Sequence, residues 1–127
     1  MQDKELYEYA IIRLVPKVER VEFLNIGVIL LSKKRKYLAM RYHINENRLK
    51  SFSEDIDIEL IQKYLKAWEL VCDGGSKGGK IGELEIHLRF RWLTASRSTI
   101  IQSSPVHPGF CDDSESTLGK LFIKFVM

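Results

Sequence analysis

The sequence predicts an α+β fold: an antiparallel sheet that begins with a three-strand meander, packed by a long central helix and a C-terminal helix. Three observations lead there. The first 44 residues hold three apolar, strand-like segments joined by short charged connections. Ile58, Ile61, Leu65, Trp68 and Cys72 then recur at +3, +4, +3 and +4, which is one face of an α-helix. Near the end, Leu118, Leu121, Phe122 and Phe125 also follow helical spacing.

Leu6 to Val15 is rich in Tyr, Ile, Leu and Val and is stopped by Pro16, so it reads as a strand buried on both faces. Lys17 to Phe23 is a charged connection. Asn25 to Leu31 is the second strand, and Gly27 inside it predicts a bulge or a close backbone approach. Lys33-Lys34-Arg35 makes a solvated turn into Tyr37–Ile44, whose side chains alternate between two faces. Asn45 to Phe52 reads as a short helix capped by Asn45. Asp57 to Cys72 is the long helix, with Leu60, Tyr64 and Val71 widening its apolar face. Asp73-Gly74-Gly75 ends it, and Ser76 to Gly79 reads as a flexible loop. Leu84, Ile86, Leu88, Phe90 and Trp92 alternate with Glu85, His87, Arg89 and Arg91, which favours a strand with one wet face. Leu84, Leu88 and Trp92 also fit i, i+4, i+8 on a helix. Thr99 to Gln102 reads as a further short strand. Asp112 with Glu115 resembles a capping box that opens the C-terminal helix.

At 127 residues the chain has the size of one domain, 1–127, and no linker or repeat divides it. Its 45% hydrophobic and 29% charged residues are those of a globular protein, not a disordered one. Two separated cysteines, Cys72 and Cys111, and a polar start without a leader pattern point to the cytoplasm. Ile26 to Leu31 is the longest apolar run and is too short to cross a bilayer, so no membrane role is expected. The net charge of +3 is concentrated in residues 1–50, which hold 11 Lys/Arg against 6 Asp/Glu. Much of that excess is Lys33-Lys34-Arg35-Lys36, and strong nucleic-acid binders are usually more basic.

The segment that stands out chemically runs from Arg97 through Ser98, Thr99 and Gln102 to His107. It is polar and bounded by Pro105 and Pro108, but it is neither periodic nor low in complexity. Arg97, Ser98 and Thr99 offer a donor fork and two hydroxyls suited to phosphate or carboxylate oxygens, with Arg89 and Arg91 just upstream. The structural alternative is that Arg97 pairs with an acid such as Glu22 while the hydroxyls satisfy loop backbone. Arg20, Glu22 and Asn25 join the candidate binding set if their connection faces this segment. His107, Cys111, Asp112 and Asp113 are close in sequence, yet no second cluster completes a metal site, and none is expected. No cofactor is expected either. Gly74 to Lys80 lacks the GxxxxGK[ST] form and follows a helix. Ser98, Ser103 and Ser104 stand near His107 without a GxSxG or SxxK pattern, so no catalytic residue is assigned.

The order of these segments resembles an uncharacterised bacterial family, domain of unknown function 3037. The residues that carry the likeness are Tyr7-Glu8-Tyr9-Ala10 with Arg13, Val15 and Pro16, then Glu19-Arg20, Glu22-Phe23, Asn25 and Gly27-Val28. Arg89-Phe90, Trp92-Leu93, Arg97-Ser98-Thr99, Gln102, Pro105-Val106-His107, Gly109 and Asp112-Asp113 complete it. Ser96 departs from the pattern, which carries a proline there. The resemblance implies a small cytoplasmic bacterial protein, often encoded beside a HipA-like serine/threonine kinase, and a short helix around Arg89–Leu93. It supplies no activity.

The functional expectation is therefore a non-enzymatic protein-binding or regulatory module, with a HipA-like kinase as a partner by family analogy. The alternative is nucleic-acid or phosphate-ligand binding through Lys33–Lys36, Arg41 and Arg97. A third, an enzyme acting on a small phosphorylated or acidic ligand, requires Arg97 and His107 to converge with Arg20 or Glu22.

Overall fold

The computed structural model describes residues 4–17 and 22–127; Arg20, one of the candidate binding residues, lies outside them. Strand β1 (Glu5–Leu14) pairs antiparallel with β2 (Leu24–Ser32), and β2 with β3 (Tyr37–Tyr42), so the expected meander forms. Two further strands, β4 (Ile101–Ser103) and β5 (His107–Cys111), both pair with the free side of β1. The result is a five-stranded sheet with β1 at its centre. That position explains the double apolar face of β1: Ala10, Ile12 and Leu14 enter one core, Ile11 the other.

Gly27 fulfils its expected role. A Cβ there would stand 2.7 Å from the Arg41 carbonyl oxygen, and the β1–β2 register shifts just beyond its partner Ile12. The hairpin between β2 and β3 closes with the Lys36 amide donating to the Lys33 carbonyl at 3.1 Å.

Helix α1 (Glu46–Phe52) starts at Asn45, whose Oδ1 accepts from the Arg48 amide, and α2 (Ile58–Asp73) starts at Asp57, which accepts from the Leu60 amide. Gly74, at φ +82°, ends α2 as expected. The flexible loop expected after it is instead a 3-10 turn (Ser76–Gly78) and one turn of helix, α3 (Gly79–Gly82). Backbone bonds from Gly75 to Gly82 and from Gly78 to Gly75 close it.

The strand favoured over Leu84–Trp92 is also corrected: Ile86–Thr94 is a helix, α4. Its buried residues, Phe90 and Leu93, are three apart, whereas Leu84, Leu88 and Trp92 remain 40 to 42% exposed. The period-two pattern therefore did not mark the buried side. The last helix, α5 (Ser114–Phe125), is capped by Asp113 and not by Asp112: its Oδ2 accepts from the Ser116 amide at 2.9 Å.

The sheet separates two cores. On one face Ile12, Ile29 and Ile101 pack against Leu65, Trp68, Phe90 and Leu93 of α2 and α4. On the other, Ile11, Val28 and Leu30 meet Leu118, Phe122 and Val126 of α5 and its end. Among the described residues no helix is long and apolar enough to cross a membrane.

Candidate functional site

Helix α4 ends at Thr94, whose hydroxyl donates back to the Phe90 carbonyl, and Ala95 turns the chain into an extended conformation. The return brings Arg97 over the helix it has just left. Its Nη2 donates to the Trp92 carbonyl. Its guanidinium stands 4.7 Å from the centroid of the Trp92 ring and 5.8 Å from that of Trp68. Burial pulls the Arg97 pKa below the ordinary arginine value, because part of the charge is withdrawn from water. No carboxylate among the described residues forms an ion pair with it, so the structural alternative of a pairing with an acid such as Glu22 is not seen.

Arg97 closes one side of a cleft of about 470 Å³. Tyr64, Ala67 and Trp68 of α2 form its floor, Trp92 one wall, and Thr99 with Ile100 the other. A smaller hollow of about 230 Å³ continues along α2, sharing Ala67, Trp68 and Trp92 and ending at Lys77. The two form a trough beside α2 in which, among the described residues, the charged lining residues are Lys77 and Arg97. Ser98 is exposed at its edge. Thr99 turns its hydroxyl to the Ile101 carbonyl at 2.7 Å, and Gln102 donates to the Thr99 carbonyl at 2.7 Å. Those two side chains satisfy backbone, the structural alternative for this segment.

Asn25, Gln102 and His107 of the predicted set lie on the opposite face of the sheet. Strand alternation puts Ile101 into the α2-side core and Gln102 on the α5 side. There Gln102, Arg13 and Asn25 occupy one row across β4, β1 and β2. Asn25 Nδ2 donates to the Phe125 carbonyl at 3.3 Å, and Arg13 stacks 4.0 Å over the Phe23 ring. Arg13 Nε and Asn25 Oδ1 are buried without a hydrogen-bond partner among the described residues. His107 is exposed beside Tyr9, with ring centroids 5.4 Å apart. Glu22 lines a separate hollow with Lys17 and Asp55. Arg97 and His107 thus do not converge.

The segment from 97 to 109 contains two strand pieces, β4 and the start of β5. Between β4 and β5, the Ser104 amide donates to the Ile11 carbonyl, and Ser104 Oγ accepts from the Ile11 amide at 2.8 Å. A serine side chain therefore completes the β1 ladder where Pro105, lacking an N–H, interrupts the edge. No local pattern in the sequence announces this role.

Arg89, grouped with Arg97 as a phosphate candidate, is committed elsewhere. It donates to the carbonyls of Leu84, Val71 and Cys72 at 3.0, 2.9 and 2.7 Å, covering the C-terminal end of α2. The basic residues are likewise dispersed. Lys33 and Lys36 border a hollow of about 600 Å³ with His87 and the outer part of Arg89, away from Arg97, while Arg41 lies over Phe122 on the α5 side. Among the described residues no three His, Cys, Asp or Glu side chains gather as metal ligands.

Tyr64, Trp68 and Trp92 were not among the predicted site residues. The signal for them was the pairing of an arginine with a tryptophan five residues earlier, beside a helix carrying the chain's other tryptophan. No curated protein and no solved structure matches the chain. The model of the family described as "Protein of unknown function (DUF3037)" matches residues 9–126, and the chain belongs to that family.

Proposed function

We propose that the protein is a non-enzymatic binding module that docks a protein partner in the trough between α2 and α4. The supporting observation is the exposed aromatic surface there. Tyr64 is 43% exposed and Trp92 41%, with Leu60 and Leu88 similarly open on the same two helices. Trp, Tyr and Arg around a small apolar pocket are the residue types that dominate protein-binding energetics. Isolated exposed apolar residues need no explanation, but a contiguous set of them beside a cleft does. The family resemblance makes a HipA-like kinase the first partner to test.

A photo-crosslinking residue at Ala67, which lines both hollows, tests this in the cell of origin. One identified protein should be captured from Ala67, lost with Trp92→Ala, and not captured from His107 on the opposite face. Equal capture from both faces, or capture that survives Trp92→Ala, would remove the reading.

A second reading, binding of a phosphate-bearing ligand, draws on the hollow shared by Lys33, Lys36 and His87. It predicts oligonucleotide binding that weakens steeply with salt and is lost in Lys33→Glu/Lys36→Glu. No binding at low salt would eliminate it.

A further inference from the structure

We infer that Arg97 is the reader of the trough: it takes a carboxylate from an acidic segment of the partner, whose neighbouring apolar side chain fills the cleft against Trp92. This rests on the trough being the docking surface and adds the chemistry of what docks. Arg97 is a half-buried cation whose one hydrogen bond to a described residue goes to the Trp92 carbonyl. Its other N–H groups find no acceptor among those residues, and no carboxylate balances its charge. A guanidinium held over aromatic rings keeps its edge free, and that edge is a planar fork matched to a carboxylate. The ring contacts also restrict the side chain, so less rotamer entropy is lost when the fork is filled.

Charge sets the sign of the occupant. Among the described residues, Arg97 at one end of the trough and Lys77 at the other face no acidic lining residue. An acidic segment is complementary to that rim and a basic one is repelled. A single arginine in its hollow also suits a singly charged carboxylate better than a dianionic phosphate, which normally draws two or more cations. Nucleic-acid bases are disfavoured by the rings themselves. Trp68 is 6% exposed and the guanidinium already covers a face of Trp92, which reduces the open ring surface on which successive bases would stack.

The chain's two tryptophans both line the trough, which makes intrinsic fluorescence a local probe. A displayed library of random twelve-residue peptides is selected on the intact chain, and the enriched peptides are resynthesised and titrated. The expected peptides carry Asp or Glu next to Leu, Phe or Trp and shift the tryptophan emission. They should lose about tenfold or more in affinity to Arg97→Gln and recover part of it in Arg97→Lys. Thermal melting of each variant establishes that it is folded before it is titrated. Enriched peptides that move the emission but lack acids, or that bind Arg97→Gln equally well, would overturn the inference and leave the docking surface standing. If no peptide moves the emission, both readings fall. Arg97-dependent quenching by a single-stranded oligonucleotide, without binding of acidic peptides, would replace the inference with nucleic-acid recognition. A concentration-dependent dimer that Trp92→Ala dissociates would assign the trough to a second copy instead.

Discussion

Two arginines eight residues apart, both half-buried and both against α2, do opposite things. Arg89 points into the end of the helix and spends its N–H groups on three main-chain carbonyls. Arg97 lies over two indole rings and donates to one carbonyl. The first region is mostly closed: Arg89 Nε and Nη1 are bound to main-chain carbonyls, and only the rest of the guanidinium borders the hollow of Lys33, Lys36 and His87. The second is open: an oriented, partly desolvated donor borders a hollow. Residue type alone ranks them equally for binding an oxyanion; the tally of satisfied donors separates them.

The largest effect expected from this contrast is on Arg89. Arg89→Ala strips the partner from two carbonyls at the end of α2 and from that of Leu84 ahead of α4, and should cost about 2–3 kcal/mol. Urea unfolding measures it. Arg89→Lys should recover little, because a single ammonium cannot reach the carbonyls of Val71, Cys72 and Leu84 together. A loss below half a kcal/mol would mean that α2 ends securely without the arginine. Gly74 belongs to the same closed unit. At φ +82° it holds a conformation that L side chains resist, and a Cβ would lie 2.8 Å from Arg89 Nη1. Gly74→Ala should therefore cost about 1–2 kcal/mol, and combined with Arg89→Ala it should be less than additive. Full additivity would show that glycine and arginine act independently.

The two regions also separate by pH. The Cys72 thiol lies within the closed region, and burial pushes its pKa up to about 12, with Asp73 adding to the rise and Arg89 opposing it. An unfolded chain ionises this thiol near its ordinary value of 9.0, whereas the native chain holds the proton. Above pH 9 the unfolded state thus binds fewer protons, and stability falls as pH rises towards the native value. At pH 10 the loss should be about 1.4 kcal/mol, and Cys72→Ala should flatten that slope whatever its effect at pH 7. Half-buried Tyr7, Tyr37 and Tyr42, all shifted upwards first by partial burial, add a loss of the same sign at higher pH. An unchanged slope in Cys72→Ala would assign the whole alkaline loss to the tyrosines.

Much of this architecture was legible in the sequence because local pattern and burial agreed. The meander, the +3/+4 face of α2 and the cap at Asn45 each rest on neighbours in sequence. Helix α4 was misread for the opposite reason. Its exposed residues Leu84, Leu88 and Trp92 are apolar, and the alternation they create with charged residues imitates a strand. What decides the helix is tertiary: Phe90 and Leu93 enter the core, and Arg89 reaches back to α2. The candidate site divided for a similar reason. Residues 97–109 are one stretch of chain, but the alternation of Ile101 and Gln102 sends its ends to opposite faces of the sheet. Sequence proximity brought Arg97 and His107 together; the strand keeps them apart. The tryptophans completing the Arg97 cleft come from two helices, and no local pattern joins them.

The smallest stability effect carries the most about function. Arg97→Gln removes two cation–ring contacts at a site still partly in water, and such contacts contribute about 0.5–1 kcal/mol. Against that stands a gain: a desolvated, uncompensated charge disappears. The net change should therefore be below about 1 kcal/mol, well under that of Arg89→Ala. Thermal or urea unfolding of the two variants side by side measures the difference. A loss at Arg97 as large as that at Arg89 would make it a second structural clamp, and the open region would be open in appearance only. A near-neutral change places the value of Arg97 outside folding. A cation that folding does not require, held in position against two tryptophans, is what a docking residue should look like in the absence of its partner.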